Sequence, residues 1–169
     1  YGVDVVPKVD KIFGPGNQYV MAAKQLVSIS DVAIDMPAGP SEVAVMADQS
    51  ANPAFIASDL LSQAEHGPDS QVVLVTNNAD LVDQVEKELA AQLNELPRKA
   101  IAEKALLNSQ AIVLNSMDEM IEMINVYAPE HLIISMENYL QIAEKIVNAG
   151  SVFLGNYTPE SAGDYASGT

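Results

Sequence analysis

From Glu42 onward the apolar positions fall into short strand-like runs separated by stretches of helical spacing. Glu42–Ala47 (EVAVMA) alternates and is rich in strand formers. Asn52 and Pro53 supply an N-cap and first-turn pair for a helix running to about His66, where Gly67 and Pro68 stop it. Gln71–Thr76 (QVVLVT) reads as a buried strand. Leu81, Val82, Val85 and Leu89 recur at helical spacing, a second helical stretch follows Pro97, and Ala111–Leu114 (AIVL) makes another strand. Ser116 and Glu119 form a capping-box pair ahead of a helix carrying Met120, Ile121 and Ile124. Strand His131–Ser135, helix Tyr139–Ala149 and strand Ser151–Leu154 complete the series, with Gly150 at the helix stop. Strand and helix alternating at this spacing predict an α/β fold with a mostly parallel sheet and flanking helices.

The first forty residues break the pattern. They hold a possible helix over Gln18–Val27, a strand over Asp31–Met36 (DVAIDM) and a Pro/Gly turn over Pro37–Pro40, too little for a domain of its own. A fold boundary is therefore expected near residues 38–41.

Composition narrows the classes. With 49% hydrophobic and 18% charged residues the chain is an ordinary globular mix. No apolar run approaches the ~20 residues of a membrane-spanning helix. Eight basic residues against 23 acidic ones give a net charge of −15, which disfavours nucleic acid and anionic lipid as partners. The absence of cysteine removes disulfides and thiolate metal sites, and fits a cytoplasmic location.

Four polar segments stand where loops or element ends are expected. Phe13–Asn17 (FGPGN) lets the backbone approach a ligand ahead of a helix N-terminus, and reads equally as a tight turn. Pro37–Ser41 (PAGPS) is a rigid turn presenting the Ser41 hydroxyl at a strand start. Gln63–His66 (QAEH) places two polar side chains three apart on one helix face. That spacing suits a metal pair, yet an amide oxygen is an unusual zinc donor, and a histidine there also serves the helix dipole. Pro129–His131 (PEH) sets a carboxylate beside an imidazole at a helix-to-strand junction, two groups whose ordinary ranges straddle useful acid–base chemistry. A surface histidine after a turn is the plainer alternative.

Taken together, PKVDKIFGPGN (Pro7–Asn17), AIDMPAGPSEV (Ala33–Val43), ASDLLSQAEHGPDSQV (Ala57–Val72), PEHLII (Pro129–Ile134), GSVFLG and PESAGDYASGT (within Gly150–Thr169) resemble the histidinol dehydrogenase family. The resemblance implies oxidation of L-histidinol to L-histidine through an aldehyde, with two NAD used in succession. It implies zinc held by Gln63, His66 and Asp164, with the zinc holding the substrate's imidazole and amino nitrogens. Ser41 matches a substrate-contacting serine and Asn17 an NAD-contacting asparagine. Glu130 and His131 match an acid–base pair: His131 takes protons from the alcohol and later from the hydrate, and Glu130 activates the water that attacks the aldehyde. With no cysteine in this chain, a thiohemiacetal route has no nucleophile here.

The resemblance further implies parts of two interleaved, incomplete Rossmann-like domains, residues 1–40 ending one and 41–169 forming the second part of the other. The chain is then expected to be an internal segment of a cytoplasmic homodimeric enzyme, without the N-terminal region and the C-terminal segment, and inactive alone. The residues by themselves leave two alternatives: a free-standing metal-binding α/β protein without redox role, and a zinc hydrolase using Glu130 as base.

Overall fold

The computed structural model describes residues 4–5, 7–14, 18–29, 32–35 and 42–163. It divides into two compact units, Tyr1–Gly39 and Pro40–Thr169.

In the first unit, strand β1 (Lys11–Ile12) pairs in parallel with β2 (Ala33–Ile34), and helix α1 (Gln18–Ser28) connects them. The strand expected over Asp31–Met36 is seen only as β2, with Asp31 and Met36 outside the described residues. Lys24 of α1 is buried. It pairs with Asp35 and donates to the Gly14 carbonyl at 2.9 Å, while the Gly14 N–H donates to Asp35 Oδ2 at 2.8 Å. The ammonium of Lys24 and then the Gly14 amide hold the Asp35 carboxyl below its usual range. Gly14 has φ +136°, a conformation only glycine adopts without strain.

In the second unit, β3 (Glu42–Ala47), β4 (Gln71–Thr76), β5 (Gln110–Val113), β6 (His131–Ser135) and β7 (Ser151–Leu154) form one parallel sheet in the order β5-β4-β3-β6-β7. Counted by first appearance the order is third, second, first, fourth, fifth: the expected Rossmann-like α/β arrangement. Helices α2 (Pro53–Ala64), α3 (Ala79–Leu93) and α4 (Lys99–Leu106) cover one face. Helices α5 (Met117–Tyr127) and α6 (Tyr139–Ala143) cover the other.

The two-residue period of the strands feeds two cores. Val43, Val45, Val72, Leu74, Ile133 and Phe153 meet α2, whereas Ala44, Met46, Val73, Leu132 and Ile134 meet α5. A strand buried on both faces must be apolar throughout, which is why these segments read as continuous hydrophobic runs.

Caps place the helices. The Asn52 side chain accepts the Ala54 N–H at 3.0 Å with Pro53 in the first turn. Ser116 and Glu119 exchange both bonds of a capping box, at 3.3 and 3.0 Å. Helix α6 departs from expectation: it ends at Ala143 rather than Ala149. The Asn125 side chain on α5 accepts the N–H groups of Val147 (2.8 Å) and Asn148 (3.3 Å) and donates to the Lys145 carbonyl (3.0 Å). Those groups are diverted from further helical turns. Gly150 consequently is not a helix stop, and its N–H donates to the Pro129 carbonyl at 3.0 Å.

Candidate active site

Parallel strands force each connecting helix to return the chain from the strands' C-terminal edge to their N-terminal edge. The ends of α2 and α5 therefore lie at the edge where β3, β4, β6 and β7 begin. Gln63 sits in the last turn of α2, His66 just beyond it, and Glu130 and His131 open β6 after α5. Four expected site residues from distant parts of the chain thus lie along one edge. Asn17, Ser41 and Asp164 lie outside the described residues.

Strand alternation sets directions along that edge. Ile133 faces α2, so His131, two residues earlier, turns to the same side, and its ring lies 6.2 Å from that of Phe153. The ring is half-buried, and its Nδ1 is buried without a hydrogen-bond partner among the described residues. Gln63 is 1% exposed, and its side-chain Nε2 is likewise buried and unpartnered. Each such orphan costs on the order of 1–3 kcal/mol, and a fold retains one where something else uses it. His66, by contrast, is exposed, its carbonyl 3.5 Å from Arg98 Nη2.

These residues fit a zinc ion as part of a shell. The amide ends of glutamine are interchangeable in position, so the orphaned end of Gln63 can present its oxygen to a cation, and His66 adds an accessible imidazole. Among the described residues no three His, Cys, Asp or Glu gather as a metal cage.

One acidic residue at this edge is missed by sequence reasoning. Parallel pairing of Val43 with His131 sets Glu42 beside Glu130. Burial, then the Glu130 carboxylate, pushes the Glu42 pKa up. Burial, then Glu42, pushes Tyr127 up to about 12, and the Tyr127 hydroxyl donates to Gln71 Oε1 at 2.7 Å. Two neighbouring carboxylates make this edge attractive to a cation. Only the strand register could have revealed Glu42, and register is not local information.

Backbone geometry holds the Glu130–His131 pair in place. Ala128, at φ 54°, ends α5 in a left-handed cap and turns the chain into Pro129. The Ser151 N–H donates to the Glu130 carbonyl at 2.8 Å. A Cβ on Gly150 would lie 2.4 Å from that carbonyl oxygen, so only glycine permits the approach.

The opposite edge, where doubly wound sheets usually bind ligands between the first and fourth strands, is bridged by Asn156. Asn156 Nδ2 donates to Ser50 O and Oγ beyond β3 (3.0 and 3.2 Å), and its Oδ1 accepts from Ser135 at the end of β6 (3.1 Å). A separate cavity of about 350 Å³ near α3 and α4 is lined largely by apolar residues such as Val72, Leu74 and Leu89, and holds no expected site residue.

From Asn156 the chain returns beside α2. Tyr157 stacks edge-on with Phe55 at 6.1 Å, and Glu160 reaches Asp59 and Ser62. Burial, with the Glu160 carboxylate adding to it, raises Asp59 from 3.8 to about 6 against the Glu160 N–H, which lowers it. The folded chain therefore keeps a proton that the unfolded chain releases between about pH 4 and 6. Stability falls as pH rises through that window, and the penalty is complete above it. Asp59→Asn, which retains the acceptor for Glu160, is expected to stabilise the protein at pH 7 by roughly 1–2 kcal/mol, allowing for partial exposure. It should also flatten the melting-temperature profile between pH 4 and 6. Thermal melts across that range check it, and an unchanged profile would remove Asp59 as its source.

Comparison with known proteins adds the remaining finding. A family model described as histidinol dehydrogenase matches residues 1–169. Histidinol dehydrogenase from Bacteroides thetaiotaomicron is 66% identical over 169 residues, covering 100% of this chain and 40% of the relative. That from Bacteroides fragilis is 64% identical over 169 residues, with the same shares covered, 100% and 40%. The crystal structure of histidinol dehydrogenase from Elizabethkingia anophelis matches with a TM-score of 0.94 and 60% identity, over 98% of this chain and 38% of that one. The chain thus spans about 40% of the length of the curated relatives it matches.

Proposed function

The chain belongs to the histidinol dehydrogenase family, and on that premise we propose that it contributes the acid–base pair and part of the metal shell to an NAD-dependent oxidoreductase. The full enzyme oxidises L-histidinol to L-histidine through L-histidinaldehyde, closing histidine biosynthesis as a cytoplasmic homodimer. Residues 1–40 end one incomplete Rossmann-like domain and 41–169 form the second part of the other. The segment alone is inactive, because further NAD contacts and further zinc ligands come from elsewhere in the protein.

The observation that carries this reading is the pair of buried, unpartnered polar atoms, Gln63 Nε2 and His131 Nδ1, on side chains that face the same layer at the strand-start edge. Gln63, His66 and Asp164 would hold a zinc ion, which would supply a Lewis-acidic anchor for the nitrogen groups of the substrate. NAD, contacted by Asn17, supplies the hydride acceptor in each of the two oxidations. Ser41 contacts the substrate.

The protein's own work is to move protons. A carbinol carbon gives up hydride only as its hydroxyl proton leaves, and His131 takes that proton. The aldehyde must then gain water. Glu130, exposed beside Glu42 at the rim, removes a proton from that water as its oxygen bonds the carbonyl carbon, and the proton His131 took from the alcohol passes to the carbonyl oxygen, giving the hydrate and restoring His131 as a base. His131 takes the hydroxyl proton of the resulting hydrate as the second hydride departs, leaving the carboxylic acid.

Only the second oxidation consumes water, which separates the two residues experimentally. In the full-length enzyme, Glu130→Gln is expected to slow histidinaldehyde oxidation by ~100-fold and histidinol oxidation by far less. Separate steady-state assays with the two substrates measure this. Equal losses in both would assign Glu130 a shared or structural role.

A further inference from the structure

We propose that Glu160, anchored on Ser62 and Asp59, is a positioning residue that sets the loop ahead of Asp164 against the metal-holding end of α2. The inference rests on the zinc reading above.

Glu160 is 3% exposed, and among the described residues no lysine, arginine or histidine forms an ion pair with it. Burying a carboxylate without a cation is costly, so hydrogen bonds must hold it. They do so directionally. Glu160 Oε2 accepts from the Ser62 hydroxyl at 3.0 Å, a hydroxyl also 3.1 Å from the Asp59 carbonyl. The Glu160 N–H donates to Asp59 Oδ1 at 3.2 Å. Two turn bonds stiffen the segment, Ala162 N–H to the Pro159 carbonyl (3.1 Å) and Gly163 N–H to the Glu160 carbonyl (2.8 Å), and Ala162 packs against the core on the α2 side.

The placement matters more than the strength. Ser62 directly precedes Gln63, and Glu160 stands four residues ahead of Asp164 in the chain. The Ser62–Glu160 bond joins segments 98 residues apart, the last turn of α2, which carries Gln63 and leads to His66, and the loop leading to a third expected ligand. The preceding contacts, Asn156 on Ser50 and Tyr157 beside Phe55, follow α2 turn by turn toward that point. A carboxylate gripped by a hydroxyl fixes the angle and distance of the loop, which is what groups supporting metal ligands do.

The test uses the full-length enzyme stripped of metal, with zinc affinity read by competition against a chromophoric chelator and apo stability read by melting. Glu160→Ala should weaken zinc binding by roughly 10- to 100-fold, and Ser62→Ala should weaken it in the same direction by less. Glu160→Gln should stay near the parent value, because its amide oxygen accepts the same bond. The apo melting temperature of Ser62→Ala should move little. Parent-like zinc affinity in both alanine variants, with binding lost in His66→Ala, would overturn the positioning role and leave the zinc reading standing. Parent-like affinity in His66→Ala as well would overturn the zinc reading, and this inference with it. If Glu160→Ala fails to fold, Ser62→Ala decides alone.

Discussion

His131→Asn in the full-length enzyme should lower turnover by at least ~100-fold, the usual scale for losing a general base, with KM little changed. Asparagine fills part of the same half-buried space beside Phe153 but cannot take a proton at neutral pH. The substitution also breaks no hydrogen bond of His131 Nδ1, since that atom has no partner among the described residues. Melting temperature should therefore stay close to the parent value while kcat collapses for both oxidations. Steady-state kinetics beside a melting curve give the answer. Near-normal turnover would remove His131 from the chemistry, and a parallel loss of stability would recast it as a packing residue.

Gly150→Ala is expected to damage folding and catalysis together. Its Cβ would stand 2.4 Å from the Glu130 carbonyl oxygen and 3.2 Å from the carbonyl carbon, distances that only a backbone shift can relieve. The shift must strain or break two bonds, Gly150 N–H to the Pro129 carbonyl (3.0 Å) and Ser151 N–H to the Glu130 carbonyl (2.8 Å), which join the starts of β6 and β7. Overpacking of this kind costs about 1–3 kcal/mol. Because the displaced peptide joins Glu130 to His131, turnover should fall ~10-fold or more, by the general sensitivity of catalysis to ångström misplacement. Melting and kcat measured on one preparation test both parts. A parent-like variant in both would show that the strand starts tolerate a wider spacing.

Locally encoded features were legible in the sequence. The Asn52–Pro53 start of α2 and the Ser116–Glu119 box of α5 are written in adjacent residues, and the buried strands in runs such as QVVLVT. Nonlocal features were not. Helix α6 stops early because Asn125, about twenty residues away, captures the amides that would extend it. The strand expected over Asp31–Met36 contains β2, but its partner β1 is only two residues long, too short for any periodicity to register.

The candidate site divides in the same way. The polar residues of QAEH and PEH stood out as segments, but the edge that gathers them follows from strand order, and the turn of His131 toward α2 follows from register. Glu42 escaped notice because its neighbour Glu130 is set by pairing across the sheet. Nothing local marked out Asn156, and Glu160 lay unremarked within the matched PESAGDYASGT stretch. Their contacts, one bridging the far ends of β3 and β6 and the other gripping α2, exist only once the segment after β7 folds back.

Assigning the chemistry to the edge where the strands begin invites one decisive measurement. Crystals of the full-length enzyme with zinc and L-histidinol, phased for anomalous scattering at the zinc edge, should show a single strong peak per site. That peak should lie at the end of α2, bonded by a Gln63 side-chain oxygen and a His66 ring nitrogen, with the His131 ring facing the substrate carbinol. A peak at the opposite edge beside Asn156, or one that contacts neither Gln63 nor His66, would contradict it.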